Sequence, residues 1–226
     1  MKKIRVPFFM FNPKTYLYGK ELYDLAKYAD HLAEVYDIDI FVTAPFTEIK
    51  TVSDITKNII VTAQHMDAIN PGRGMGAVLP ESLYFAGARA CVLNHAERPL
   101  HYSVLEKTIN KGKKSGINTI VCANGYHEAK AIALLEPEII LCEPTDLIGT
   151  GMTSSDSYIK ETIAAVKKIN SNICVMQGAG VSTSTDIIRN LQLGSDANGA
   201  TSGIIEANDP FVALKQMVEA TATFVP

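Results

Sequence analysis

The sequence predicts a single-domain (β/α)8 barrel of the α/β class, and three observations predict it. Short apolar, β-rich runs alternate with amphipathic helical stretches along the whole chain. The runs are apolar throughout, which marks strands of a parallel sheet covered by helices. Eight such units follow one another across 226 residues with no linker or shift in composition, a length that closed barrels use as one domain. One domain over residues 1–226 is therefore expected. An open doubly wound sheet is the competing architecture, but GxGxxG does not follow the first strand.

The expected strands are Ile4–Phe11, Ile38–Thr43, Ile59–Gln64, Ala90–Asn94, Asn118–Ala123, Ile139–Glu143, Ile173–Gln177 and a weak one near Ala197–Thr201. Between them, Gly19–Val35 places Leu22, Leu25, Ala26, Ala29, Leu32 and Ala33 on one side of a helix. Pro99–Lys114, Ser155–Ile169, Thr183–Leu193 and Pro210–Thr221 also read as helices, the last with Pro210 in the first turn after Asp209. Shorter helices fit at Glu48–Thr56, Pro80–Ala86 and Glu128–Leu135.

Apolar residues make up 47% and charged residues 20%, enough for a large core. The formal charge of -3 comes from 21 basic and 24 acidic residues. Neither sign forms a block, so a nucleic acid partner is not expected. Met1-Lys2-Lys3-Ile4-Arg5 carries charge but no apolar run of signal-peptide length, and no spanning segment follows. No membrane association is expected, and the compartment is taken as cytoplasmic. Cys91, Cys122, Cys142 and Cys174 lie in apolar runs without a CxxC pair. They read as buried reduced thiols and not as disulfides or a zinc site.

In such barrels the reactive groups gather at the carboxyl ends of the strands. The first strand runs into Asn12-Pro13-Lys14. Alternation sends Asn12 and Lys14 to one side, with Pro13 stiffening the link, and the pair suits an anion or oxyanion. Lys14 alone reads more simply as a solvated loop lysine. The fourth strand ends in Asn94-His95-Ala96-Glu97-Arg98, where helix amides beyond His95 would favour a neutral ring. His95 alone reads equally well as a structural histidine satisfied by backbone.

The sixth strand closes on Glu143, a carboxylate that is costly there unless used or paired. Pro144 fixes the exit, and Thr145-Asp146-Leu147-Ile148-Gly149-Thr150-Gly151 has the glycines and apolar tip of a closing lid. The last two strands lead into Gln177-Gly178-Ala179-Gly180 and Thr201-Ser202-Gly203, small residues that let backbone N–H groups approach a phosphate. A base, a neutral electrophile, a cation, a lid and a phosphate cradle together suit proton abstraction beside a carbonyl in a phosphorylated sugar.

These residues carry a resemblance. Asn12-Pro13-Lys14, Asn94-His95-Ala96-Glu97-Arg98, Glu143-Pro144 with Ile148-Gly149-Thr150-Gly151, and Gly178-Ala179-Gly180 are similar, in order and spacing, to the motifs of the triosephosphate isomerase family, the family of the TIM barrel. Ala63-Gln64-His65, Pro71-Gly72 and Val78-Leu79-Pro80-Glu81 resemble its compact archaeal-type branch. The resemblance implies interconversion of dihydroxyacetone phosphate and glyceraldehyde 3-phosphate through an enediolate, with no cofactor or metal. It implies Glu143 as the base, His95 polarising the carbonyl, Lys14 stabilising phosphate and enediolate charge, Asn12 supporting the oxygen, and Glu97 behind them. Gly149, Ala179, Gly180, Thr201, Ser202 and Gly203 would meet the phosphate, under a lid containing Pro144, Ile148, Thr150 and Gly151. The loop Met66–Val78 would dock on a neighbouring subunit, giving a homodimer or homotetramer.

Three positions depart from that pattern. Gly199 stands where the eighth strand usually carries a leucine against the glutamate, Met75 where the interface loop often has threonine, and Ala96 where serine often follows the histidine. Gly199 is expected to leave Glu143 better solvated and to open space of about one side chain, admitting a larger ketose phosphate such as an erythrulose phosphate. Two other classes compete. A non-catalytic phosphate-binding barrel is opposed by the intact Asn12, Lys14, His95 and Glu143. A metal-dependent enzyme using His65, His95 and Glu143 is opposed by the lack of an HxH or HxxxH pair. His31, His101 and His127 fall on helices or helix starts and read as surface residues.

Overall fold

The structure is a computed structural model that describes residues 4–225. Its strands are β1 (Phe8–Phe11), β2 (Ile40–Ala44), β3 (Ile60–Ala63), β4 (Ala90–Leu93), β5 (Asn118–Ala123), β6 (Ile139–Cys142), β7 (Cys174–Gln177) and β8 (Ala197–Ala200). They form a closed barrel in chain order, every neighbouring pair parallel, with β8 returning to β1. The helices are α1 (Gly19–Val35), α2 (Ile49–Ile55), α3 (Pro80–Phe85), α4 (Tyr102–Ser115), α5 (Tyr126–Ala133), α6 (Asp156–Ile169), α7 (Ser184–Gln192), α8 (Ser202–Ile205) and α9 (Pro210–Ala222).

Strand alternation divides the apolar residues between two cores. Phe8 and Met10 point inward with Phe41, Ile60, Leu141 and Met176 to fill the barrel. Phe9 and Phe11 point outward with Ile40 and Val42, against helix residues such as Leu22, Leu25 and Leu214. Both faces of each strand are thus buried, which is why the runs read as continuously apolar. The eighth strand, weak as a sequence signal, closes the barrel because Met10 pairs with Gly199 and Phe11 with Ala200 in register.

The ends of several elements differ from expectation. β1 begins at Phe8, not Ile4. Pro7 has no N–H for the ladder, and the preceding Arg5 spends its backbone N–H and guanidinium on Asp39. α4 begins at Tyr102, not Pro99, and stops at Gly116, whose φ of 77° ends it. β6 stops at Cys142, leaving Glu143 one residue beyond the strand. The short helix α8 was not expected; its four residues are too few to carry a helical period. Two starts fall as read: Thr183 and Asp186 form a capping box for α7, and Asp209 caps α9 ahead of Pro210.

The connection from Met66 to Val78 is pinned at its base. Asp67 accepts a hydrogen bond from the Val78 amide at 2.7 Å and donates its own amide to the Val78 carbonyl at 2.9 Å. Its tip holds Met75 fully exposed. Among the described residues, no helix is long and apolar enough to cross a membrane.

Candidate active site

The strand tips place Glu143, His95, Lys14 and Asn12 around one cavity of ≈ 170 Å³ at the barrel mouth. Glu143 follows β6, where Pro144 turns the chain away. Its carboxylate lies over Gly178: a Cβ there would sit 2.8 Å from Glu143 Oε1, so a larger residue opposite would push the carboxylate from this position. Oε1 accepts the Ala179 amide at 2.9 Å, while Oε2 stands 3.8 Å from His95 Nε2. Despite the missing side chain at position 199, the Glu143 side chain is only 16% exposed, with Leu141 and Met10 lining the same cavity.

The His95 ring is orientated by its own chain. The Glu97 backbone N–H donates to Nδ1 at 3.2 Å, which requires that nitrogen to be unprotonated. The ring proton therefore sits on Nε2, the atom facing Glu143. Burial is the main reason the imidazole titrates below its ordinary value, and the Lys14 ammonium adds to it against the opposing Glu143 and Glu97 carboxylates. A neutral ring with Nε2–H outward can donate to a developing oxyanion.

Lys14 and Asn12 hold each other. Asn12 Oδ1 accepts the Lys14 amide at 3.1 Å and the Thr43 hydroxyl at 2.6 Å, which turns its Nδ2 away from both. Gln64 Nε2 donates to the Lys14 carbonyl at 2.6 Å. Lys14 Nζ meets Glu97 Oε1 at 2.6 Å, and the Lys14 hydrogen bond holds the Glu97 carboxyl below its usual range. Lys14, Asn94 and Ala179, each beside a strand tip, have φ of 48°, 57° and 52°. Non-glycine residues in this left-handed region cost about 1–3 kcal/mol, and three of the five among the described residues stand beside strand tips at this end of the barrel.

The two glycine turns abut one another. A Cβ on Gly203 would lie 2.5 Å from Ser182 Cα, and one on Gly180 would lie 2.1 Å from the Met152 carbonyl oxygen. The segment after Glu143 thereby leans on the β7 turn. It starts with a 3-10 turn over Thr145–Leu147, anchored where Asn124 Oδ1 accepts the Thr145 amide at 2.8 Å. Ile148 and Gly149 reach the cavity rim, and Thr150 folds back to donate to the Leu147 carbonyl at 2.9 Å.

Of the residues expected from the sequence, Asn12, Lys14, His95, Glu143, Ile148, Gly149, Ala179, Gly180, Thr201 and Ser202 line this cavity. Pro144, Thr150, Gly151 and Gly203 do not, and Glu97 lines a neighbouring cavity instead, together with His65, Gln64 and Phe46. His65 is turned to Asp67, 3.1 Å away. His31, His101 and His127 are exposed. Gly178, expected as part of the β7 turn, lines the main cavity too, as do Met10, Tyr16, Leu141, Val181, Ala200, Ile205 and Glu206, which were not expected. Parity was the available signal for two of them, since Met10 precedes Asn12, and Leu141 precedes Glu143, by one strand period.

The two largely buried histidines make stability pH-dependent. Burial lowers the titration of both His95 and His65 below the usual 6.5. Below that value the unfolded chain binds protons that the folded chain refuses, so stability rises with pH through this window and falls on acidification. Denaturant midpoints measured at about pH 7.5 and about pH 5.5 are expected to show a loss at the lower pH, and His65→Gln to shrink it. An undiminished loss in that variant would remove His65 from the account.

A barrel that gathers a carboxylate, a neutral imidazole and an ammonium beside two backbone-rich turns is, by class, built for proton transfer in a phosphorylated carbonyl compound. Comparison with known proteins narrows the class. The family model described as triosephosphate isomerase matches residues 7–218. The triosephosphate isomerases of Methanocaldococcus jannaschii and Methanobacterium bryantii are each 35% identical, covering 92% and 94% of this chain and 97% and 96% of their own lengths. That of Sulfolobus acidocaldarius is 31% identical, over 96% of this chain and 95% of its own. The chain belongs to the triosephosphate isomerase family.

Proposed function

We infer that the protein interconverts dihydroxyacetone phosphate and glyceraldehyde 3-phosphate. The observation that carries this, beside family membership, is the Glu143 carboxylate 3.8 Å from a neutral His95 Nε2 inside a cavity that also holds Lys14 and both turns. Glu143 takes the proton from the hydroxymethyl carbon and returns it to the neighbouring carbon. His95 Nε2–H and Asn12 Nδ2 serve the oxygens of the enediolate, and the Lys14 charge offsets the negative charge that builds up. A glutamate base with a neutral histidine is the known pattern of triosephosphate isomerases, so these roles follow the resemblance as much as the geometry.

The phosphate sits at the turns of Ala179–Gly180 and Thr201–Gly203, with the Gly149 amide added as the Pro144–Gly151 segment closes. Closure excludes water, which protects an enediolate that otherwise loses its phosphate. Glu97 acts through Lys14. Steady-state assays of both trioses are expected to give kcat/KM within roughly 10⁴–10⁸ M⁻¹s⁻¹, and a phosphoglycolate analogue to bind roughly 10²-fold tighter than substrate. Phosphate binding without turnover would favour a binding barrel and overturn this reading.

The active form is a homodimer or homotetramer. The exposed Met75 at the tip of the Met66–Val78 loop, and the open cavity beside the site with Phe46, Pro45 and Val92 in its wall, suit a flexible apolar knob and its socket on a second copy. Sedimentation at micromolar concentration is expected to show no monomer, and Met75→Glu to release it. A monomer of native sequence would contradict the assembly. The unpaired cysteines fit a reducing compartment, and we place the reaction in the cytoplasm.

A further inference from the structure

Inside the barrel, β8 offers Ala197 and then Gly199, while its neighbours send in Met10 from β1 and Met176 from β7. The glycines at 180 and 203 are each enforced by a backbone atom that a Cβ would strike. Gly199 is not. Its φ lies outside the left-handed region, and an added Cβ would meet nothing nearer than Met10 Cε at 3.5 Å and Met176 Sδ at 3.7 Å, ordinary van der Waals contact. Neither backbone nor packing requires glycine there.

What the missing side chain does is leave room. Gly199 lines the cavity with Met10, Leu141 and Glu143. It lies two residues below Thr201 along the strand, so about 7 Å deeper than the turn at the phosphate end. The recess is thus in the floor, beside the carboxylate. Its far wall is two thioethers, unbranched and polarisable, which shift between rotamers more readily than leucine or isoleucine and tolerate a polar neighbour.

We propose that Gly199, Met10 and Met176 form a yielding recess that accepts one further carbon beyond the reacting one, so that the site also isomerises four-carbon ketose 1-phosphates. The proposal rests on the isomerase reading above. With the phosphate at the turns and the C2 carbonyl at His95, the C4 hydroxymethyl group of such a substrate enters the recess. Glu143 removes the C3 proton, and that C–H electron pair forms the C2–C3 double bond of an enediolate. The proton returns to C2, and the hydroxyl proton passes from the C3 oxygen to the C2 oxygen, which leaves the carbonyl at C3. The product is a tetrulose 4-phosphate, and no oxidant or reductant is consumed. Met10 and Gly199 are specificity determinants here, and Glu143 remains the base.

The test compares kcat/KM for dihydroxyacetone phosphate and for D- and L-erythrulose 1-phosphate in the native protein, Gly199→Ala and Gly199→Leu, with the tetrulose 4-phosphate product identified by NMR. The native protein is expected to convert at least one enantiomer. Gly199→Leu is expected to lower the ratio of four-carbon to three-carbon kcat/KM by roughly 10–200-fold, the discrimination one or two methylene groups give in an apolar pocket. Gly199→Ala, which the backbone accommodates, shifts it the same way by less and serves if the leucine variant does not fold. Triose turnover with neither enantiomer converted overturns the proposal, as does a ratio that stays within about threefold in both variants. Absence of triose turnover in the native protein would instead sink the isomerase reading itself.

Discussion

Replacing Glu143 with glutamine is expected to lower kcat/KM for the triose by roughly 10²–10⁴-fold, the usual contribution of a positioned general base. The variant isolates the chemistry because it keeps the shape. A glutamine at this position still offers Oε1 to the Ala179 amide, now 2.9 Å from the carboxylate, and still rests on the bare Gly178. The protein should therefore fold as before and hold a phosphate-bearing ligand. Glu143→Asp retains the charge but withdraws it by ~1 Å, which is expected to cost about 10²-fold. Steady-state kinetics for both variants, beside the affinity for phosphoglycolate, read the two effects apart. Activity within tenfold of native in the glutamine variant would remove Glu143 as the base.

Gly180→Ala is expected to have the largest effect on stability. An alanine Cβ would lie 2.1 Å from the Met152 carbonyl oxygen and 2.8 Å from the Thr153 nitrogen, both backbone atoms that no rotamer change can move. Its φ of 67° adds the left-handed penalty, so the total should be at least about 2 kcal/mol. The segment behind the lid must retreat from the β7 turn, and the triose KM is expected to rise as well. Gly149→Ala is the control: its φ is 76°, but nothing lies within 4 Å of the added carbon. That variant should show the backbone penalty alone, about 1 kcal/mol. Urea denaturation at matched protein concentration distinguishes them. Equal losses would mean that the contact between Met152 and Gly180 does not constrain the turn.

The parts of the site that were legible in the sequence share one property. Asn12, Lys14, His95 and Glu143 are polar groups standing where an apolar strand should end, and a barrel puts all such ends on one face. Met10 and Leu141 were readable by strand parity but look like ordinary core, because core and cavity floor use the same residue types. Gly178 was visible as part of a glycine turn, but not that its absent Cβ leaves room for the Glu143 carboxylate and Leu141, 2.8 Å and 3.0 Å away. The space left at Gly199 is bounded by Met10 across the β1–β8 pair, a neighbour far away in the chain.

By itself, then, the order of residues determined the barrel, the strand ends that carry chemistry and the identity of the charged groups there. These follow from local rules of periodicity, turn chemistry and the cost of burying charge, which act over a few residues. Tertiary structure alone decided which turn Glu143 leans on, and which glycines are compelled and which leave space. Those outcomes depend on distances of 2–4 Å between segments up to 189 residues apart, such as Met10 and Gly199, and no local rule reaches across such a separation.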